Sequence, residues 1–157
     1  MTSTVRILFL CTGNSCSSQM AEGWVRHLKG DVMRAFSAGI EKHGLDPRAV
    51  QVMAEAGVDI SGQGSKLVDE LETLDFDYVV TLCDEARESC PLFPGRATMV
   101  HVGFEDPPRL AQKESGEAAK LEHYRRIRDE IRAFVEGLPD SLKRAAQGPP
   151  GMTPSNK

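Results

Sequence analysis

No stretch of this chain approaches the roughly 20 consecutive apolar residues that a membrane-spanning helix requires. The formal net charge is only −4, which offers no general attraction to nucleic acid or an anionic membrane, so any anion site has to be built locally. No Cys-x-x-Cys pair occurs. His27, His43, His101 and His123 show no zinc-like spacing with the cysteines, which argues against a structural zinc site. No Gly-Lys-Ser/Thr follows the small-residue loop at residues 11–18, so a Walker-type phosphate loop is excluded. Met1–Arg6 runs directly into an apolar strand, without the apolar core and small-residue cleavage site of a signal peptide. The expectation is a cytoplasmic protein. Internal repeats are absent.

What is present suits one α/β domain. A length of 157 residues fits a single hydrophobic core. Residues 1–138 are expected to form that domain, and residues 139–157, polar and rich in Gly and Pro, a disordered tail. Short β-rich apolar runs occur at Val5–Leu10, Val32–Phe36, Tyr78–Leu82 and Thr98–Val102. Helical spacing separates them: Met20, Trp24, Val25 and Leu28, then Ala49, Val52, Met53 and Ala56 behind the start signal Asp46-Pro47. A short helix is expected from about Lys66 to Leu74, and a polar loop or frayed helix from Asp84 to Gly95. A long charged helix is expected from about Glu117 to Glu136, with Leu121, Tyr124, Ile127, Ile131 and Val135 on its buried face. Alternating strands and helices imply a parallel sheet, whose ligands bind beyond the carboxyl ends of the strands. Cys11, Cys83 and Asp106 each follow a predicted strand, so they should meet on one rim.

The chemistry concentrates at Cys11-Thr-Gly-Asn-Ser-Cys-Ser-Ser18. A strand feeding a tight loop and then a helix presents backbone N–H groups and a helix N-terminus to an anion. Gly13 admits a backbone conformation that a larger residue resists. The same field is expected to lower the Cys11 pKa, with Ser18 placed to donate a hydrogen bond to its sulfur. A buried structural cysteine at a strand end fits the loop equally well. Asp106-Pro107 reads either as an acid beside the site or as an ordinary Asp-Pro turn. The four cysteines, at 11, 16, 83 and 90, are more often catalytic or redox-active than disulfide-bonded in a reducing compartment.

Cys11-Thr-Gly-Asn-Ser-Cys16, Ser18-Gln-Met-Ala-Glu-Gly-Trp24, Ser37-Ala-Gly-Ile40, Thr81-Leu-Cys83 and Gly103-Phe-x-Asp106-Pro107 together resemble the thioredoxin-coupled arsenate reductases. The resemblance spans roughly residues 4–136. It implies the low-molecular-weight protein tyrosine phosphatase fold: three layers, with a four-stranded parallel sheet flanked by helices. It implies Cys11 as nucleophile on arsenate, Asp106 as general acid, and Thr12, Gly13, Asn14, Ser15, Cys16, Ser17 and Ser18 as the oxyanion-binding loop. Cys83 would attack the Cys11–arsenic adduct and Cys90 would then attack Cys83, leaving Cys83–Cys90 as the redox-active disulfide. Residues 84–89 would have to rearrange, because a disulfide needs Cα atoms within about 7 Å. The resemblance further implies no bound metal or cofactor, electrons from reduced thioredoxin, and a monomer. Cys16 reads as a packing residue or an off-pathway partner of Cys11.

Two positions depart from the family. Most members carry Arg where this chain has Ser17, and that guanidinium binds the oxyanion bidentately. Arg109 is a candidate substitute. Some members bind potassium beside the loop through Asn, Glu, Ser and Asp; Asn14, Glu22 and Ser37 match three of these, but Lys66 stands at the fourth. Its ammonium could replace the ion and pair with Glu22. Three other functions compete: a tyrosine phosphatase on the same fold, a glutaredoxin-coupled reductase, and a thiol sensor binding arsenite or a soft metal through Cys11, Cys83 and Cys90.

Overall fold

Ile7, Leu8, Phe9 and Leu10 are all fully buried, which is the pattern of a central strand covered on both faces. They lie in β1 (Val5–Cys11). Alternate side chains divide between two apolar clusters: Ile7 and Phe9 join one, Leu8 and Leu10 the other. The computed structural model describes residues 4–71, 75–83, 86, 88 and 97–147, with side chains to residue 143.

The other strands are β2 (Met33–Gly39), β3 (Tyr78–Thr81) and β4 (Thr98–His101). They pair in the order β2-β1-β3-β4, and every pairing is parallel. The chain leaves β1 for β2 on one side and returns to β3 on the other, so the β1/β3 boundary is a topological switch point.

The larger cluster lies beneath α1 (Ser17–Lys29), α2 (Pro47–Glu55) and α4 (Glu117–Glu136). The buried face of α4 consists of Leu121, Tyr124, Ile127, Ile131 and Val135, as the spacing requires. Trp24 Nε1 donates to Arg128 O at 3.2 Å and joins α1 to α4. The opposite cluster gathers Phe76, Val79, Ala38 and Ala86, with Val68 and Leu71 packed against it. Sheet and coverings make up the three-layer α/β arrangement.

Three expectations change. The helix predicted from Lys66 is a single 3-10 turn, Val68–Glu70, after which Leu71 is extended; residues 72–74 lie outside the described residues. The chain cannot coil there because Gly39 N donates to Lys66 O and Gly39 bridges Leu67 in parallel, pinning this segment to the end of β2. The tail expected from residue 139 begins instead with a helix, α5 (Asp140–Gln147). Its Leu142 is 1% exposed beside the equally hidden Leu138, so this stretch buries apolar surface that a disordered tail would leave in water. A five-residue helix, α3 (Pro107–Ala111), follows Asp106, where the Asp-Pro pair read as no more than a turn. Of the segment 84–95, Ala86 and Glu88 are helical; Cys90 lies outside the described residues.

Candidate active site

The carboxyl ends of the strands bring the reactive residues together. Leu82 N donates to Leu10 O and Phe104 N to Leu82 O, at 2.9 and 3.2 Å, which aligns the chain leaving β1, β3 and β4. Cys11, Cys83 and Asp106 consequently line one cleft of about 720 Å³. Thr12, Gly13, Ser15, Cys16 and Ser17 line it as well, together with His43, Phe104, Arg109 and Lys113. Asn14 and Ser18 sit behind the loop, both fully buried.

The loop is held by its own side chains. Asn14 adopts a left-handed conformation, φ 49°, which asparagine tolerates better than most residues. Its Nδ2 donates to Ser18 Oγ at 2.9 Å, and its Oδ1 accepts from Lys66 N at 2.8 Å. Gln19 Nε2 donates to Asn14 O at 2.9 Å. With its oxygen accepting from Asn14, the Ser18 hydroxyl is oriented to donate to Cys11 Sγ, 2.9 Å away. Gly13 is needed for a different reason from the one expected. A Cβ there would stand 2.2 Å from His43 Nδ1, so the missing side chain makes room for an imidazole.

The expectation of a lowered Cys11 pKa is not met. Burial pushes the thiol above its ordinary value, against the Ser18 hydroxyl and the Asn14 and Ser18 backbone groups. All the opposing groups are neutral dipoles. Position 17, where the resemblance led to the expectation of an arginine, is a serine here and adds no cation. Burial also raises the Cys16 thiol well above its usual range, and the charges of Asp46 and Asp106 add to that. Cys16 belongs to the hydrophobic core, which fits a packing residue.

Cys83 follows β3 with its sulfur 3.2 Å from Thr12 Oγ1 and accepting from Ala86 N at 3.4 Å. The second thiol is therefore attached to the first loop residue after Cys11. Asp106 is the N-cap residue of α3 by position, but its side chain makes no capping hydrogen bond. Asp46 precedes a proline in the same way and behaves differently: Oδ1 accepts from Arg48 N at 2.9 Å and Oδ2 from Tyr124 OH at 2.6 Å. Asp46 is committed to structure, whereas the Asp106 carboxyl is available to the cleft. Partial burial raises the Asp106 pKa, with Arg109 and His43 opposing and Asp46 reinforcing the shift.

Behind the loop, Glu22 accepts from Ser37 Oγ at 2.6 Å and pairs with Arg26. Lys66 Nζ is 3.9 Å from Glu22 Oε1 and donates to Gly64 O at 2.9 Å. Two cations thus face the one buried carboxylate. Asn14 is fixed by the Lys66 backbone N–H rather than by its ammonium. An added monovalent cation would meet like charge, so activity should be the same in potassium and sodium salts at equal ionic strength. A severalfold stimulation by potassium would contradict this arrangement.

Sequence reasoning missed His43 and Lys113 as cleft residues. His43 carried a usable signal, since it is the third residue after Ser37-Ala-Gly-Ile40, the end of β2 that closes on the loop. Lys113 carried none.

Similarity to known proteins agrees with this geometry. The low molecular weight phosphotyrosine protein phosphatase family matches residues 6–148. An arsenate reductase of Halalkalibacterium halodurans is 50% identical over 137 residues, which are 87% of this chain and 96% of that protein. One from Bacillus subtilis is 49% identical over 125 residues, 80% of this chain and 88% of that protein. A solved arsenate reductase described in its phosphate-binding state superposes with a TM-score of 0.68 at 31% identity, covering 86% of this chain and 96% of its own. The chain belongs to the low molecular weight phosphotyrosine protein phosphatase family.

Proposed function

We propose that this protein reduces arsenate to arsenite through a relay of Cys11, Cys83 and Cys90, regenerated in the cytoplasm by thioredoxin. The observation that carries the reading is the second thiol: Cys83 lines the cleft of Cys11 and is bonded to Thr12. A phosphatase on this fold needs the nucleophile and the acid, but no second sulfur. The 49–50% identity to arsenate reductases supports the same choice.

Cys11 thiolate attacks arsenic(V), and Asp106 protonates the oxygen that leaves as water. Cys83 thiolate then attacks Cys11 Sγ. The sulfur–arsenic bond breaks, its electron pair stays on arsenic, and arsenite departs as arsenic(III) while a Cys11–Cys83 disulfide forms. Attack by Cys90 on Cys83 returns Cys11 as a thiolate and leaves the oxidation in Cys83–Cys90. A thioredoxin dithiol reduces that bond by two further exchanges. The raised Cys11 thiol gives the loop a second task. A bound oxyanion has to gather enough backbone N–H groups to favour transfer of the thiol proton onto it.

With Ser17 in the loop, one cation that lines the cleft is Arg109 on α3. Its charge acts on Asp106. Arg109→Ala should raise the apparent Michaelis constant for arsenate by about tenfold, the cost of one charged hydrogen-bond partner. It should also move the alkaline limb of the pH profile upward, because Asp106 keeps its proton to higher pH once that cation is gone. An unchanged Michaelis constant and limb would remove Arg109 from the site.

The relay is tested by stopping it. Cys90→Ser should release one arsenite per protein and stall as a Cys11–Cys83 disulfide, visible by peptide mass mapping. Continued turnover with thioredoxin in that variant would exclude Cys90 from the relay.

A further inference from the structure

His43 follows β2 and is tied to the loop by its backbone N–H, which donates to Gly13 O at 3.0 Å. Its ring covers Gly13 so closely that a Cβ there would fall 2.2 Å from Nδ1 and 2.5 Å from Cγ. The other ring nitrogen, Nε2, is 2.7 Å from Glu41 Oε1. An ionised carboxylate only accepts hydrogen bonds, so this contact places a proton on Nε2. Nδ1 is then the nitrogen left over the loop, and among the described residues only Nε2 of this ring has a hydrogen-bond partner. The side chain is 50% exposed and lines the cleft beside Cys11 and Asp106. Glu41 pairs with it at Nε2, and the charged and titratable groups that share the cleft with it are the thiols Cys11, Cys16 and Cys83, and Glu105, Asp106, Arg109 and Lys113 on α3 and its flanks.

We propose that His43 is an oxyanion-binding residue, in which the imidazolium held by Glu41 donates its Nδ1–H to an oxygen of the tetrahedral oxyanion seated in the Cys11 loop. This rests on the loop being an oxyanion site, and it assigns part of the positive charge that Ser17 does not supply. In the neutral ring Nδ1 presents a lone pair to the anion, which repels it. Protonation turns the same atom into a charged donor and requires no movement of the ring. Carboxylate pairing at the second nitrogen holds orientation and tautomer, as it does for metal-bound imidazoles. The consequence is a linkage: oxyanion binding takes up a proton, and affinity falls as pH rises.

Calorimetric titration with sodium sulfate, in buffers of differing ionisation enthalpy between about pH 5.5 and 8, reads this directly. Sulfate is neither reduced by the cysteines nor titrated in that range. The wild-type protein should take up as much as one proton per sulfate. His43→Gln should bind sulfate about tenfold more weakly at the acid end and take up fewer protons. Glu41→Gln keeps the ring but removes the carboxylate that holds the proton on Nε2 and leaves Nδ1 to the anion, so sulfate should bind more weakly and take up fewer protons; this variant decides the question if His43→Gln does not fold. Undetectable sulfate binding, or binding without proton uptake, would overturn the inference. So would unchanged affinity and uptake in His43→Gln, or uptake that disappears only in Asp106→Asn. Proton-coupled sulfate binding in a protein that does not reduce arsenate would count against the reductase reading and leave this one standing.

Discussion

Replacing Cys83 by serine is expected to abolish arsenate turnover, lowering it on the order of a thousandfold or more. The size follows from the chemistry. In the proposed relay Cys11 would still attack arsenate without Cys83, but two electrons would then have to reach arsenic from a second sulfur. Cys83 is the cleft thiol available to supply them, and Cys16 is a poor substitute. Cys16 is 3% exposed in the hydrophobic core, and burial together with Asp46 and Asp106 holds its thiol protonated. The variant should retain its fold, because Cys83 is only partly buried and serine preserves a hydrogen-bonding atom towards Thr12. Arsenite release per protein, measured with excess thioredoxin, should fall to the background of the Cys11→Ser variant. Turnover above a tenth of the wild-type rate would mean that an external thiol resolves the adduct and that Cys83 is dispensable.

Asp106→Asn should be the next most damaging change, at about a hundredfold to ten-thousandfold in kcat, the range for loss of a general acid. Asparagine is nearly isosteric and the native carboxyl makes no capping hydrogen bond, so stability should change little. The pH dependence separates an acid from a structural residue. Burial raises the Asp106 pKa, so in the wild type the acid form persists to higher pH than an ordinary aspartate would allow. Activity should fall as pH rises through that shifted value, and this limb should be missing from the residual activity of Asp106→Asn. A residual profile with the same limb would assign it to another group.

Much of this was legible in the sequence because the relevant signals are local. The five apolar positions of α4 recur at helical spacing and are the five buried. Likewise, the run Ile7–Leu10 lacks polar alternation and occupies the strand covered on both faces. What failed depends on contacts between distant segments. Asp46-Pro47 and Asp106-Pro107 look alike in sequence, and Asp46 is committed to a structural role by its cap on Arg48 N together with Tyr124, 78 residues further along. The Lys66 segment has a passable helical pattern but is captured by the edge of β2. Leu142 reads as an isolated apolar residue in a polar tail until α5 packs it away. The Cys11 pKa went the opposite way because the loop pattern speaks for dipoles, whereas the degree of burial is a property of the assembled cleft.

Arsenate-dependent oxidation of NADPH through thioredoxin reductase and thioredoxin tests the central claim most directly. The wild-type protein should produce one arsenite for each NADPH consumed, and omission of thioredoxin or the Cys11→Ser substitution should stop the reaction. Hydrolysis of nitrophenyl phosphate by the same preparation should be slow by comparison, because Ser17 removes a cation that phosphoryl transfer depends on. Brisk phosphate-ester hydrolysis without arsenate-driven NADPH oxidation, with either thioredoxin or a glutaredoxin and glutathione as donor, would contradict the account and return the protein to the phosphatases of its fold.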